Sequence, residues 1–459
     1  MNQSKNKEAN LGSDGIGKLL FKLALPAILA QIINVMYNMV DRMYIGHIPD
    51  IGPSALTGVG VTMPVIMAIS AFAALVSMGG APRASIMMGK GDKKQAEKIL
   101  GNCTAMLVVL AILLTAVFLL FGKPILLLFG ASENTIGYAW AYMEIYAMGT
   151  IFVQTALGLN AFINAQGYAK TGMLTVAIGA ICNIVLDPIF IFGFNMGVRG
   201  AALATIISQA VSSVWVVLFL TGRKSFLRIR LSNLKPEARV ILPSLALGLS
   251  PFIMQFTESV ISVCFNTSLL KYGGDIAVGA MTILTSVMQF SMLPLQGLTQ
   301  GAQPIISFNF GAGNIDRVKK AFILLLKVSL IYAALLWALA MFTPQLFIGI
   351  FTGNAQLADF TKWAMRIYMA GSLLFGIQIA CQQTFIALGN SKTSVFLALL
   401  RKVILLIPLI FILPNFFGNK VLGVFIAEPI ADTIAVTVTG ILFTIAYRKL
   451  SASSSSGPE

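Results

Sequence analysis

Twelve long apolar segments divide this sequence, and they leave the chain few ways to fold. Each segment lies between glycine, proline or charged residues and has at least about the 20 residues that a helix needs to cross a membrane. The predicted spans are 16–46, 52–80, 97–122, 135–163, 170–194, 198–221, 239–270, 275–304, 317–343, 357–387, 393–414 and 422–446. We therefore predict an all-α polytopic membrane protein with twelve transmembrane helices.

The charge content excludes the main soluble classes. Only 11% of the residues are charged, whereas soluble domains have about 25%. A net charge of +15 would indicate nucleic acid in a soluble protein, but here the basic residues lie mostly in alternate connections between spans. We expect neither a soluble enzyme nor a nucleic-acid-binding protein.

The positions of the basic residues predict the orientation of the chain. Even-numbered connections and their flanks hold Arg83, Lys90, Lys93, Lys94, Lys98, Lys170, Arg223, Lys224, Arg228, Arg230, Lys235, Arg239, Arg317, Lys319, Lys320 and Lys392. The opposite connections hold only isolated ones, such as Lys123 and Lys420. By the positive-inside rule, both termini are cytoplasmic.

The two halves of the chain repeat each other at a constant offset. Pro82-x6-Gly89-x-Gly91 recurs as Pro304-x6-Gly311-x-Gly313, which is 222 residues later, and Gly167-x2-Lys170-Thr171 recurs at the same offset. Six spans per half give both halves the same orientation, so we expect two lobes related by an axis along the membrane normal. The predicted domains are a tail (1–15), an N-lobe (16–222), a linker (223–238), a C-lobe (239–450) and a flexible tail or expression remnant (451–459).

One segment of the second half carries a family signature. Gln300-Gly301-x-Gln303-Pro304-x5-Phe310-Gly311-Ala312-Gly313 resembles the multidrug and toxic compound extrusion (MATE) family. Asp41 and Asn183-x3-Asp187-Pro188 resemble its bacterial branch that contains DinF and MepA. The resemblance implies a V-shaped pair of pseudo-symmetric six-helix bundles. It also implies export of bulky, often cationic, drugs in exchange for protons or sodium ions, without a cofactor.

Carboxylates within the spans indicate functional sites, because one at the bilayer centre costs about 2.5–3.5 kcal/mol on insertion scales. Counting about 1.5 Å per residue from the outer span ends, Asp41, Asp187 and Thr205 all lie roughly 7–10 Å deep. We therefore expect them to meet in one layer. The alternative is a polar network that only fixes the bundle.

The resemblance extends to a set of residues in the first half. It implies a cation-coupling site at Tyr37, Asp41, Asn160, Asn183, Asp187 and Thr205. Two carboxylates in a low-dielectric pocket favour taking one proton between them. Alternatively, Asp41, Asn183, Asp187 and Thr205 could supply an oxygen shell for Na⁺.

Polar residues elsewhere in the spans are candidates for a substrate cleft between the lobes. They are Glu258, Gln255, Asn34, Gln378, Gln382, Glu428 and Asp432. Span ten has glutamines where the other large bacterial branch has an acid, so a second ion site of that kind is in doubt. The alternative is that these groups satisfy one another within the bundle. Arg401 and Lys402 are expected to extend to the cytoplasmic face.

The combined prediction is a cation-coupled exporter in the bacterial cytoplasmic membrane. We expect a monomer whose partners are small-molecule substrates and membrane lipids. The alternative is a flippase for a lipid-linked or amphipathic metabolite, which would need several basic residues in the cleft. An enzyme is disfavoured by the single histidine and the lack of a metal-ligand motif such as H-E-x-x-H.

Overall fold

The computed structural model describes residues 10–455, and this part of the chain is helical without a strand. Residues 1–9 of the predicted N-terminal tail and residues 456–459 of the predicted C-terminal tail lie outside the described residues. The last helix, Ala427–Ser455, continues into the segment that was expected to be a flexible tail.

The first half contains six spans. Its helices are Ile16–Gly46, Gly52–Gly89, Lys93–Leu128, Ile136–Met148, Thr150–Ala165, Ala169–Pro188 and Val198–Thr221, with a π-helical turn at Ile189–Gly193. Ile136–Met148 and Thr150–Ala165 meet at an angle of 60° and together make span four. The connection between the halves contains one 3₁₀ turn, Leu231–Asn233.

The second half contains six spans with more interruptions. Its α-helices are Ala238–Gly311, Ile315–Phe342, Pro344–Phe351, Ala355–Tyr368, Phe375–Ala387, Ser391–Leu399, Ile407–Ile412, Lys420–Phe425 and Ala427–Ser455. Met369–Leu374 and Leu413–Asn415 are 3₁₀ segments, and Leu400–Leu406 is π-helical.

The number of spans depends on how the longest helix is counted. Ten described helices are long and apolar enough to cross a membrane, and the bent pair gives an eleventh. Ala238–Gly311 counts once there, yet its backbone breaks at Gly274, where φ is 66° and ψ is −163°. Near its two ends, Ser244 and Phe308 approach Gly79 and Gly89 of one neighbouring helix. It therefore folds back as spans seven and eight, and the twelve-span prediction is confirmed.

The sequence repeat is also present in the structure. Helices of the first half that begin at Ile16, Lys93, Ala169 and Val198 have counterparts beginning 222 residues later, at Ala238, Ile315, Ser391 and Lys420. The break at Gly274 stands 222 residues after Gly52, where the second helix begins. The two pseudo-symmetric six-helix bundles are therefore confirmed.

The lobes join where backbones pass in direct contact. A Cβ atom on Gly89 would lie 2.0 Å from the Phe308 carbonyl oxygen, and one on Gly311 would lie 2.0 Å from that of Ile86. These two contacts exchange under the repeat, so the pseudo-twofold axis passes between spans two and eight. Only small residues let helix backbones approach this closely, and membrane helices pack in this way.

The apolar packing shows which side of the molecule is closed. We call the side that carries the connections 90–92, 166–168, 222–237, 312–314 and 388–390 the basic side. Two apolar clusters near it combine both halves, since Leu23 and Leu298 belong to one of them, and Leu100 and Ile241 to the other. The two clusters near the opposite side each belong to one half. The lobes are therefore joined at the basic side and diverge toward the other.

Two helices extend further than predicted. Span two continues to Gly89 and span eight to Gly311, through Pro82 and Pro304. Proline is tolerated inside membrane helices because neighbouring helices can satisfy the backbone groups that it frees. Arg83, which was expected in a connection, instead lies within span two. Its guanidinium donates to the Val240 carbonyl and the Ser244 hydroxyl, both at 2.7 Å.

The close contact predicts that Gly79→Ala opens the basic side. A Cβ there would lie 1.9 Å from the Ser244 carbonyl oxygen, so spans two and seven must separate. We expect the distance between spin labels at the exposed positions 94 and 320 to be longer in Gly79→Ala than in the parent protein. The measurement is pulsed electron paramagnetic resonance after replacement of the native cysteines. Gly60→Ala on the same helix is the control, because nothing lies within 4 Å of a Cβ there. An unchanged distance in Gly79→Ala would contradict this packing.

Candidate cation site and charge network

Polar residues from three spans of the N-lobe meet in its interior. The amide nitrogen of Asn183 lies 3.2 Å from Asp187 Oδ1 and 3.4 Å from Thr205 Oγ1. The carboxyl groups of Asp41 and Asp187 face each other within hydrogen-bonding range. The structure therefore brings together residues of spans one, five and six, as their depths suggested.

Helix geometry explains how each span presents two of these residues. Residues four apart lie on the same helix face, so Tyr37 stands one turn from Asp41, and Asn183 one turn from Asp187. Tyr37 lies within electrostatic range of both carboxyl groups. Asn160 of span four donates to the Gly172 carbonyl at 3.2 Å, which fixes its amide beside span five.

Four oxygen atoms in this cluster have no donor. Asp41 Oδ1, Asn160 Oδ1, Asn183 Oδ1 and Asp187 Oδ2 are buried and make no hydrogen bond. Buried polar atoms are nearly always paired, because an unpaired one costs about 1–3 kcal/mol. All four atoms are acceptors, so the partners that fit them are a proton, a hard cation or a hydrogen-bonded water. The donor set fits either ion.

A cavity adjoins the cluster. It has an empty volume of about 460 Å³, includes space open to solvent, and is lined in part by Asn34, Tyr37, Asn160, Asn183 and Thr205. Asn34, which was a candidate for the cleft between the lobes, is exposed and lines this cavity. The cavity gives an ion a route to the polar cluster.

Sequence reasoning missed one member of the cluster. The Tyr142 hydroxyl of span four lies 3.4 Å from Thr205 Oγ1, and its ring stacks on Tyr146 with centroids 6.2 Å apart. Both tyrosines are buried. Their spacing of four residues on an apolar span was a signal of an inward-facing pair.

The glutamines of span ten form a closed network inside the C-lobe. Gln378 donates to Gln382 at 2.9 Å and accepts from the Thr439 hydroxyl at 2.8 Å. Gln382 donates to Ser250 Oγ at 3.3 Å. Both amides are buried, so in this conformation they bond within the bundle. Gln255, by contrast, is exposed on span seven.

Three acidic residues in the C-lobe spans form ion pairs with two cations of span eleven. Lys402 Nζ lies 2.7 Å from Glu258 Oε1. Arg401 Nε lies 2.6 Å from Asp432 Oδ1, and its terminal nitrogen 3.6 Å from Glu428 Oε1. The expectation that Arg401 and Lys402 extend to the cytoplasmic face is therefore wrong, because both side chains turn into the bundle toward these carboxylates.

Comparisons with known proteins agree with this architecture. A family model described as MatE matches residues 26–189 and 251–412. Multidrug export protein MepA of Staphylococcus saprophyticus is 24% identical over 427 residues, which cover 93% of this chain and 94% of that protein. MepA of Staphylococcus aureus (strain N315) is 25% identical over 430 residues, with the same coverage.

Solved structures match over nearly the whole chain. The structure of the MATE multidrug transporter DinF-BH is 33% identical, covers 96% of this chain and 98% of its own, and has a TM-score of 0.88. An outward-facing conformation of a multidrug resistance MATE family transporter is 21% identical, covers 98% of this chain and 99% of its own, and has a TM-score of 0.89.

The unpaired oxygens predict that Asp41→Asn stabilises the fold under one condition. In sodium-free buffer at alkaline pH, the substitution removes one of two adjacent buried charges and supplies an amide donor to Asp187. Because about 1 kcal/mol corresponds to about 1 °C in a chain of 459 residues, at an unfolding entropy of about 2.1 cal/mol/K per residue, we expect the unfolding temperature to rise by about 1–2 °C. The gain should shrink at acidic pH, where the native pair itself binds a proton.

The control for this measurement is Asp359→Asn, which changes an exposed carboxylate and should leave the unfolding temperature unchanged at both pH values. If Asp41→Asn lowers the unfolding temperature at alkaline pH, the two carboxylates do not repel each other in the folded protein.

Proposed function

The chain belongs to the MatE family, and from this premise we propose that it is a cation-coupled antiporter that exports bulky, often cationic, drugs or other toxic compounds. The ion is a proton, a sodium ion or both. The observation that carries the proposal is the group of four unpaired buried oxygens around Asp41 and Asp187, next to a solvent-connected cavity. A group of this kind can bind and release a cation.

The names of related proteins support drugs as the substrate class. MepA is described as a multidrug export protein, and DinF-BH as a MATE multidrug transporter. We extend this substrate class to the present chain. The separation of the lobes at one side supports a cleft large enough for such compounds.

The mechanism that we propose is alternating access. With the lobes apart on the outer side, a cation binds at Asp41 and Asp187. Neutralising these charges lets span one shift and weakens substrate binding, so that the drug leaves outward. The chain then opens to the inside, releases the cation and binds new substrate. Cation and drug need only favour different states of one two-state equilibrium.

The proposal also covers the membrane in which the protein lies, its orientation there and its assembly state. We propose that the protein crosses the bacterial cytoplasmic membrane with both termini inside, so that the basic side is the cytoplasmic side. We also propose a monomer made of an N-lobe (16–222), a linker (223–238) and a C-lobe (239–450). Glu97 supports the linker assignment, because it bonds Arg230 of that segment at 2.7 Å.

The ion pairs made by the two cations of span eleven weigh against the flippase alternative. A flippase for a lipid-linked pyrophosphate needs basic side chains free to hold the anion. Arg401 and Lys402 are instead both held by carboxylates. We therefore favour a cationic substrate over an anionic one.

We expect Asp41→Asn to abolish export. In everted membrane vesicles, the wild type should accumulate the cationic dye ethidium when a proton or sodium gradient is imposed, and Asp41→Asn should lose at least about nine-tenths of this uptake. Applying each gradient separately identifies the coupling ion. The control is Asp359→Asn at matched expression, which should transport like the wild type.

Equal uptake by Asp41→Asn and the wild type would move coupling away from the N-lobe. Absence of uptake by the wild type under either gradient, for ethidium and for a zwitterionic or lipid-like dye tested in parallel, would refute drug export by cation exchange. Uptake of the lipid-like dye alone would favour the flippase.

A further inference from the structure

The two lobes use equivalent space differently. Gly179 and Ala180 line the cavity of the N-lobe, and the residues 222 positions later are Arg401 and Lys402. Where small residues leave room for solvent in the first half, two long cationic side chains fill the space in the second half. The C-lobe thus contains cations that belong to the chain itself.

Local backbone structure accompanies this difference. Residues Leu400–Leu406 form a π-helix, whereas the equivalent segment of the first half lies within the regular helix Ala169–Pro188. A π-helical segment contains an extra residue per turn and often occurs at functional positions. It directs adjacent residues to different partners: Arg401 to span twelve and Lys402 to span seven.

The charges of this network do not balance. Three carboxylates, Glu258, Glu428 and Asp432, face two cations, Arg401 and Lys402. Lys402 is bonded to Glu258 and acts on Glu428 only at longer range, so Arg401 is the cation in direct contact with both Glu428 and Asp432, which are only 4% and 2% exposed. A buried charge without a partner is strongly destabilising.

The hydrogen bonds of the network are incomplete as well. Glu428 Oε2 and Asp432 Oδ2 are buried and have no donor. The two residues are one helical turn apart on the same face of span twelve, and both contact the same guanidinium. A single proton placed on either carboxyl would cancel the excess charge and supply a donor.

We propose that Glu428 and Asp432 together bind one exchangeable proton, which makes them a second monovalent cation site in the C-lobe. Four charged or titratable groups surround this pair: Arg401 and Lys402 of span eleven, Glu258 of span seven and Tyr368 of span ten. A proton suits the site better than sodium. Sodium needs a shell of several oxygens, whereas two atoms are free here and a guanidinium 2.6 Å from Asp432 would repel the ion.

The charge of the site extends to an exposed carboxylate. Adjacent Arg401 and Lys402 connect the buried pair to Glu258, whose side chain is 55% exposed. Loss of the proton leaves one net negative charge on this network, and gain of the proton neutralises it. This proposal goes beyond the drug-export proposal, because it concerns proton binding and does not depend on any transported compound.

The test uses infrared spectroscopy of the purified full-length Asp41→Asn/Asp187→Asn variant, in which the N-lobe carboxyls are removed. We expect one band from the C=O stretch of a protonated carboxyl, which disappears on a shift from acidic to alkaline pH and changes position in D₂O. Either Glu428→Gln or Asp432→Asn in that background should remove the band, because two carboxylates and two cations then balance. Glu144→Gln, which changes a carboxylate near the opposite side, should retain it.

Three results would overturn the proposal. The first is absence of the band at every pH at which the protein is folded, and the second is its persistence after both C-lobe substitutions. The third is loss of the band on addition of sodium chloride at constant pH, but not of choline chloride, which would identify sodium as the occupant. If neither single variant folds, Glu428→Asp and Asp432→Glu, which keep both carboxyls, decide: a shifted band in either variant supports the site, and an unchanged band in both refutes it.

Discussion

Close packing of glycines where span two meets spans seven and eight determines the shape of the whole molecule. Without water to drive apolar surfaces together, membrane helices associate mainly by direct contact, and the tightest contacts need small residues. Here they occur at Gly79, Gly89 and Gly311, all near one side of the bundle. The lobes are therefore held together at that side and stay apart at the other, and the polar groups of the N-lobe adjoin a cavity within their own lobe.

The repeat makes the differences between the lobes informative. Both halves use the same helix starting points at a constant offset, so the scaffold is shared and the polar residues are not. The polar cluster of the N-lobe has two carboxylates, small residues and unpaired oxygens next to open space. The charge network of the C-lobe has three carboxylates and fills the equivalent space with Arg401 and Lys402. One lobe thus leaves buried acceptors without a partner, and the other pairs its buried carboxylates with cations of its own.

The sequence predicted the features that depend on local composition. Span number, the repeat and the common depth of Asp41 and Asp187 follow from apolar length and residue spacing. The continuation of the helices through Pro82 and Pro304 was not predicted, because it depends on neighbouring helices that satisfy the backbone hydrogen-bonding groups. The ion pairs that Arg401 and Lys402 make with carboxylates inside the bundle were missed for a similar reason. The direction of a side chain from a span depends on helix rotation, and here a π-helix changes the rotation within one turn.

The pairing of Lys402 with Glu258 has a consequence for the affinity of a cationic substrate. A carboxylate that already holds a cation at 2.7 Å can bind a second one only if the first is displaced or the two share it. Any substrate that uses Glu258 must therefore compete with a tethered amine whose local concentration is fixed by the fold. In the alternating-access mechanism that we propose, the tethered cation would lower the affinity of this conformation for such a substrate. Release would then require no change at Glu258 itself, and ion binding in the N-lobe would only have to shift the balance between the two states.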